Sequence, residues 1–219
     1  MIVASKHPVL LVGGGQIGTN DINTALPFSK KLVAADGGAA RVLAEGHVPE
    51  AVIGDMDSLT NKASEAFFDR LHKIDDQNTT DFEKCVQRIE APMILGVGFL
   101  GGRLDHQLSV FNVLARYPAK NVVLLGPEDA CALVPEGGLL LELPTGSRLS
   151  LMPVGAASVH TEGLRWNVSG DDMRPDAFVS ASNEVAGAVS IRARGPVMII
   201  LPRSFFSDLV HAMSENALA

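Results

Sequence analysis

Short hydrophobic runs alternate with segments of helical periodicity along the first half of the chain. The apolar runs are typical of buried β-strands, and apolar residues spaced three or four apart predict amphipathic helices between them. Predicted strands are "PVLLVGGG", "KKLVAADGG", "AVIGD", "APMILGVG" and "NVVLLG", and predicted helices are "AARVLAEG", "TTDFEKCVQRIE" and "RLDHQLSVFNVLARY". Strands that alternate with helices predict an α/β domain with a mostly parallel sheet, covered on both faces.

The pattern changes after Gly126, where helical spacing gives way to short alternating runs separated by turn residues. Such text is typical of an all-β antiparallel sandwich. The runs are "ACALVPEG", "LLLELP", "SRLSLMPV", "AVSIRA" and "VMIILP", whereas "SASNE" is typical of a loop. We therefore predict an α/β domain over residues 1–126 and a β-sandwich domain over residues 127–219, in which "RSFFSDLVHAMSENALA" forms either a terminal helix or a frayed tail.

Glycines and aspartates recur where the predicted parallel strands end, in "GGGQ", "ADGG", "GDMDS", "DDQNTTD" and "GGRLDH". Ligands bind at this edge of an open α/β sheet. Asp55 and Asp57 lie one residue apart there, and like charges so close call for a cation. With Asp81 they suit magnesium, which prefers oxygen ligands. Turn and helix-cap roles also explain these residue types.

The segment "GGRLDH" combines groups that suit a phosphate. Gly101 and Gly102 allow close approach of the backbone, and Arg103 offers a bidentate fork. Asp105 and His106 follow at a predicted helix start. A glycine turn with a surface arginine would look the same, and His106 is interpreted as a packing or hydrogen-bonding residue.

A dinucleotide site is a competing hypothesis, because Gly13, Gly15 and Gly18 match G-x-G-x-x-G after a strand and Asp36 ends the next strand. This would make the protein an NAD-dependent oxidoreductase. The segment that follows, "TNDINTALPF", is a poor helix start because of its early Pro27. A dinucleotide also gives no reason for the later aspartates.

The composition narrows the classes of partner. The 219 residues carry 18 basic and 25 acidic side chains, a net charge of −7, which disfavours a nucleic-acid or anionic-membrane binder. The two cysteines, Cys85 and Cys131, lie in apolar stretches and are expected to be small buried residues. Without a recognisable signal peptide or an apolar run that could span a bilayer, a cytoplasmic location is expected.

Trp166, the single tryptophan, lies in "GLRWNV" in the predicted β-rich half. A lone tryptophan is often part of a core. An indole face is also the best ring for a cationic ligand. The sequence leaves both interpretations open.

Six segments together resemble the thiamine pyrophosphokinase family and occur in the family's order across both halves. They are "ADGGA", "GDMDSL", "QNTTDFEK", "GGRLDH", "GLRWNV" and "SASNE". The resemblance implies an α/β catalytic domain, a β-sandwich domain and a homodimer with sites at the interface. It implies transfer of pyrophosphate from ATP to the hydroxyl of thiamine, with Mg²⁺, giving thiamine diphosphate and AMP. Met56, Asn78 and Ala181 depart mildly from the family's pattern.

The same resemblance implies residue roles. Asp55, Asp57 and Asp81 would hold the metal and, with Asp105 and Arg103, form the catalytic set. Asp105 would orient or deprotonate the thiamine hydroxyl, while Arg103 stabilises phosphate charge. The implied ATP-binding residues are Asp36, Gly37, Gly38, Gly101, Gly102 and Arg103. The implied thiamine-binding residues are Gln77, Trp166, Ser182 and Asn183. A nucleotide- or thiamine-binding protein without turnover remains the other hypothesis, although simple binding gains little from clustered carboxylates.

Overall fold

The computed structural model describes residues 1–216. The chain forms two compact units. The first contains residues 1–113 and 124–127, and the second contains residues 114–123 and the chain from Glu128 onward. The predicted boundary at residue 126 stays a prediction. Over residues 1–216, no helix is both long and apolar enough to cross a membrane.

A five-stranded parallel sheet forms the centre of the first unit. From residue 3 to residue 125 the strands and helices follow one another in the order β1 (Val3–Ala4), β2 (Val9–Val12), α1 (Asp21–Ala25), β3 (Lys31–Ala35), α2 (Gly38–Ala44), β4 (Ala51–Gly54), α3 (Asn61–Ala66), β5 (Leu71–Lys73), α4 (Asp81–Arg88), β6 (Ile89–Glu90), β7 (Ile94–Val97), α5 (Leu104–Arg116) and β8 (Val122–Leu125). In the sheet the order is β7-β2-β3-β4-β5. The short strands β1 and β6 pair with each other.

Four of these strands are buried throughout, which explains their continuous apolar runs. They are β2, β4, β7 and β8. Helix α4 begins where expected, because the Thr80 hydroxyl accepts a hydrogen bond from the Glu83 N–H at 3.2 Å. The sequence did not predict α1, α3, β1, β5 or β6, which are six residues long or shorter.

The second unit is rich in antiparallel strands. They are β9 (Asp129–Leu133), β10 (Leu139–Leu141), β11 (Arg148–Pro153), β12 (Ala157–Leu164), β13 (Ser169–Met173), β14 (Ser180–Arg194) and β15 (Val197–Pro202), followed by helix α6 (Phe206–Asn216). The division into a sheet with helices and a large antiparallel part is confirmed. The terminal segment is a helix as far as Asn216, and residues 217–219 lie outside the described residues.

Strand β14 is the element that the sequence predicted least well. "SASNE" is not a loop but the first third of this 15-residue strand. Residues 180–184 pair with β11, whereas residues 185–194 pair with β12 and, in part, with β10. A strand that changes partners in this way turns a corner between two sheets. The start of β14 lacks the alternating apolar pattern of a strand, because the neighbouring residues Ala181 and Ser182 are both exposed. The sequence therefore did not indicate a strand there.

Candidate active site

Three carboxylates meet where strands β3 and β4 end. Asp36, Asp55 and Asp57 each place a carboxylate oxygen within 4.8 Å of the others. Asp36 directly follows β3 and lies 1 % exposed. It adopts φ +39°, a left-handed conformation that aspartate tolerates better than most residues. Gly54, the last residue of β4, makes room for it, since a Cβ at position 54 would lie 2.6 Å from the Asp36 Cβ.

The surroundings of Asp36 raise the pKa of its carboxyl group. Burial raises its pKa from 3.8 to about 6, helped by the charges of Asp81, Asp55 and Asp57, although the Ser58 N–H opposes the shift by donating to Oδ2. The Oδ1 atom is buried and has no hydrogen-bond partner among residues 1–216. A buried oxygen without a partner is costly, and a cation between the carboxylates would satisfy it. The all-oxygen donor set fits a hard divalent cation.

Lys84 is a component of the site that sequence analysis missed. Its ammonium lies 3.3 Å from Asp55 Oδ2 and 3.0 Å from Asp81 Oδ1, with the lysine side chain only 2 % exposed. Burial opposes ionisation of Asp55, but the Asp57 N–H and the Lys84 ammonium together lower the Asp55 pKa below its usual value. Lys84 therefore joins the carboxylate after β4 to the first turn of α4.

Asp81 and Gln77 lie beside the three-carboxylate cluster. Asp81 occupies the first turn of α4 and is not among the three clustered acids; its described contact is with Lys84. The Gln77 amide approaches Asp55 Oδ2 at 3.5 Å, the limit of a hydrogen bond. The structure thus brings Asp55, Asp57, Asp81 and Gln77 together and adds Asp36 to them, whereas the described side-chain contact of Asp105 is with Arg103.

Arg103 and Asp105 form a bidentate ion pair before and within the first turn of α5. Arg103 Nη2 donates to Asp105 Oδ2 at 2.6 Å and Nε donates to Oδ1 at 3.2 Å. Gly101 and Gly102 precede them with φ +77° and +73°, conformations that glycine adopts without strain. The arginine holds the pKa of Asp105 at about 2. Both side chains are exposed, so the pair is open to exchange partners with a ligand.

A cavity of about 320 Å³ lies against the glycine loop that follows β2. Its lining includes Gly13, Gly14, Gly15, Gly37, Ala40 and Arg41. The loop is not followed at once by a long helix, because α1 begins three residues after Gly18 and spans only Asp21–Ala25. Gly38 has its own packing reason: a Cβ there would lie 2.1 Å from the Val12 carbonyl oxygen.

The second unit holds the remaining predicted residues. Trp166 follows β12 and is 56 % exposed, so the interpretation of this residue as core is wrong. Ser182, exposed on β14, has φ +55°, and the neighbouring Asn183 is buried. These three belong to the second unit, while the carboxylates, Lys84 and Arg103 belong to the first.

Comparison with known proteins points in one direction. The family described as "Thiamin pyrophosphokinase, catalytic domain" matches residues 23–125, and "Thiamin pyrophosphokinase, vitamin B1 binding domain" matches residues 140–198. Thiamine pyrophosphokinase 1 of Arabidopsis thaliana is 31 % identical, over 72 % of each chain. Thiamine pyrophosphokinase 1 of Oryza sativa subsp. japonica is 34 % identical, over 70 % of this chain and 71 % of its own.

Solved structures share the fold. A thiamin pyrophosphokinase from Candida albicans superposes with a TM-score of 0.76 at 16 % identity, covering 91 % of this chain and 92 % of its own. One from Geobacillus thermodenitrificans gives a TM-score of 0.72 at 20 % identity, covering 89 % and 96 %. The matches do not support an NAD-dependent oxidoreductase or a binding protein without turnover. The chain belongs to the thiamine pyrophosphokinase family of enzymes.

Proposed function

We propose that the protein transfers the terminal pyrophosphate of ATP to the hydroxyl of thiamine and releases AMP and thiamine diphosphate. The observation that carries this proposal is the meeting of Asp36, Asp55 and Asp57 within 4.8 Å, with a buried oxygen of Asp36 that finds no partner in the described part of the chain. Such a site is suited to a metal–nucleotide complex rather than to a nicotinamide cofactor. The names of the relatives supply the substrate pair.

The proposed metal is Mg²⁺. Asp55 and Asp57 would hold it, Asp36 is the further candidate that the geometry adds, and Asp81 would act as an acidic neighbour through Lys84. Bound there, the ion would neutralise phosphate charge during the transfer. Lys84 contributes by fixing the Asp55 carboxylate, since its ammonium donates a hydrogen bond to Asp55 Oδ2 at 3.3 Å.

Arg103 and Asp105 are proposed to act on the two reacting groups. Phosphoryl-type transfer needs mainly in-line positioning and neutralisation of charge, and the Arg103 fork suits phosphate oxygens. A carboxylate with a pKa of about 2 is a weak base. Asp105 is therefore assigned to orient the thiamine hydroxyl by accepting its hydrogen bond, and to take its proton only late in the transfer.

The nucleotide is proposed to lie along the glycine-rich loops of the α/β domain. The cavity includes Gly37 and the glycines after β2, and backbone N–H groups there could approach phosphate closely. Gly38, Gly101 and Gly102 are assigned to the same function with Asp36. The β-sandwich domain is assigned to thiamine, with Trp166 and Ser182 as its contacts and Gln77 of the α/β domain assigned to the same ligand. The predicted thiamine residue Asn183 is buried and would act through Trp166, to which it is hydrogen-bonded.

A homodimer with shared sites is a further part of the proposal. Leu104 and Leu108 lie one turn apart on α5 and are 69 % and 56 % exposed, an apolar face that a second copy could cover. Mixing inactive Asp57→Ala protein with inactive Trp166→Ala protein should restore activity if each site uses both chains. Demonstrated subunit exchange without any recovery would contradict shared sites.

The decisive test of function is the pair of products. The purified protein, given thiamine, ATP and Mg²⁺, should form AMP and thiamine diphosphate in equal amounts, and EDTA should stop the reaction. Asp69→Asn, an exposed acid on the surface, serves as the control variant and should retain full rate. Formation of ADP alone would mean transfer of a single phosphoryl group, and thiamine binding without AMP would mean a protein that only binds.

A further inference from the structure

Asn183 has all of its side-chain hydrogen-bonding groups engaged within the protein. Its Oδ1 accepts from the Trp166 N–H at 3.2 Å and the Glu184 N–H at 2.8 Å. Its Nδ2 donates to the Trp166 carbonyl at 2.7 Å and to Ser180 Oγ at 3.0 Å. An asparagine amide offers two acceptor and two donor positions. With the residue only 3 % exposed, no polar group is left for a ligand.

Two of these four bonds hold the backbone of one residue, Trp166, one at its N–H and the other at its carbonyl. The chain on either side of Trp166 is also held. Arg165 N–H donates to the Glu184 carbonyl at 2.8 Å, and Asn167 Oδ1 accepts from the Leu164 N–H at 3.0 Å. The turn after β12 is therefore tied to β14, although the indole that it carries is 56 % exposed.

The ring itself is braced by Arg165. The guanidinium carbon lies 4.7 Å from the centroid of the indole, and Glu184 Oε2 holds the same guanidinium at 3.2 Å. An exposed aromatic side chain ordinarily samples several rotamers, and restricting it costs free energy when a ligand binds. Here the hydrogen bonds from Asn183 to the Trp166 backbone and the stacked Arg165 guanidinium restrict the indole before any ligand binds.

We propose that Asn183 is a positioning residue rather than a ligand contact: it holds the Trp166 backbone so that the indole has one orientation before any ligand arrives. The expected consequence for thiamine rests on the proposed function, whereas the fixing of the ring does not. Loss of the hydrogen bonds between Asn183 and the Trp166 backbone should leave the chemical step unchanged and weaken the affinity for the ligand. The free-energy cost of ordering the indole must then be met during binding.

The single tryptophan makes the orientation directly measurable. Asn183→Asp keeps the shape and the acceptor oxygen but replaces the donor that faces the Trp166 carbonyl with a second oxygen. We expect lower steady-state anisotropy of Trp166 fluorescence, stronger acrylamide quenching, and exchange of the Trp166 amide about tenfold faster, as for the loss of about 1.4 kcal/mol. The KM for thiamine should rise about tenfold with kcat within about twofold of the wild type.

Asn23→Asp makes the same chemical change at an exposed position of α1 and should alter none of these quantities. A raised KM with unchanged anisotropy and amide exchange would identify Asn183 as a direct contact and overturn the proposal, as would no change in any quantity. If the wild type neither binds nor converts thiamine, while Asn183→Asp lowers the anisotropy of Trp166, the proposed function is wrong and the positioning role of Asn183 stands. If Asn183→Asp does not fold, Ser180→Ala removes one of the four partners and should loosen the indole to a smaller degree.

Discussion

Asp36→Asn is expected to make the metal-free protein more stable and the enzyme about a hundredfold to a thousandfold slower. Stability should rise because the variant removes a buried charge from beside Asp55 and Asp57. An amide can also donate toward those carboxylates from the position of the orphaned Oδ1, and asparagine tolerates the φ of +39° as aspartate does. Activity should fall because the cluster loses one of its three carboxylates.

The pH dependence follows from the raised pKa of Asp36. A carboxyl whose folded pKa lies above its unfolded value stabilises the fold below the unfolded pKa, near 3.8, and this contribution is lost as pH rises through about 6. The full difference corresponds to at most about 3 kcal/mol. The gain in Tm of Asp36→Asn, measured in EDTA, should therefore be small near pH 4 and largest above pH 6.

Divalent metal should reverse the order of the Tm values of the wild type and Asp36→Asn. Mg²⁺ is expected to raise the Tm of the wild type more than that of Asp36→Asn, because only the wild type offers all three carboxylates. Asp69→Asn controls for the loss of one negative charge. Equal Tm values for the wild type and Asp36→Asn across the pH range in EDTA would show that Asp36 carries no strain.

Lys84→Met is expected to lower the free energy of unfolding by about 3 kcal/mol, since it leaves Asp55 and Asp81 without their common cation. Methionine has nearly the length of lysine, so the loss reports charge more than packing. Turnover should fall by a hundredfold or more, because Asp55 is no longer held in place and the acidic cluster gains net repulsion. Thermal unfolding and kcat/KM measure the two effects.

A double-mutant cycle separates the ion pairs from other effects of Lys84. Adding Asp81→Asn to Lys84→Met removes one of the two unpaired carboxylates and should restore part of the lost stability. Lys62→Met, at an exposed position of α3, is the matched control and should change little. Strictly additive losses in the cycle would mean that Lys84 and Asp81 do not interact.

Asp55 and Asp57 could be predicted from the sequence because they directly follow an apolar run. Parallel strands bring their carboxyl ends to one edge, so residues that end different strands meet without any knowledge of side-chain packing. Lys84 could not be found in this way. Its partner Asp55 is 29 positions away, and a lysine beside Phe82 and Cys85 in a helix is ordinarily taken to reach solvent.

The environment of Trp166 was beyond prediction for a different reason. The turn that carries it is hydrogen-bonded to β14, whose first residues have the polar composition of a loop. Only the pairing of residues 180–184 with β11 places Asn183 where its amide can hold the turn after β12. Such a contact joins segments 17 positions apart and leaves no periodicity in either of them.

Gly54 bears on how this site can vary among descendants of the chain. Because the Asp36 Cβ occupies the space that any side chain at position 54 would need, a substitution at 54 must displace a residue of the acidic cluster. Position 54 therefore has no neutral alternatives while position 36 keeps its present conformation, and the two positions can diverge only together. The absence of a side chain at Gly54 is thus as strict a requirement of this site as the carboxylate of Asp36.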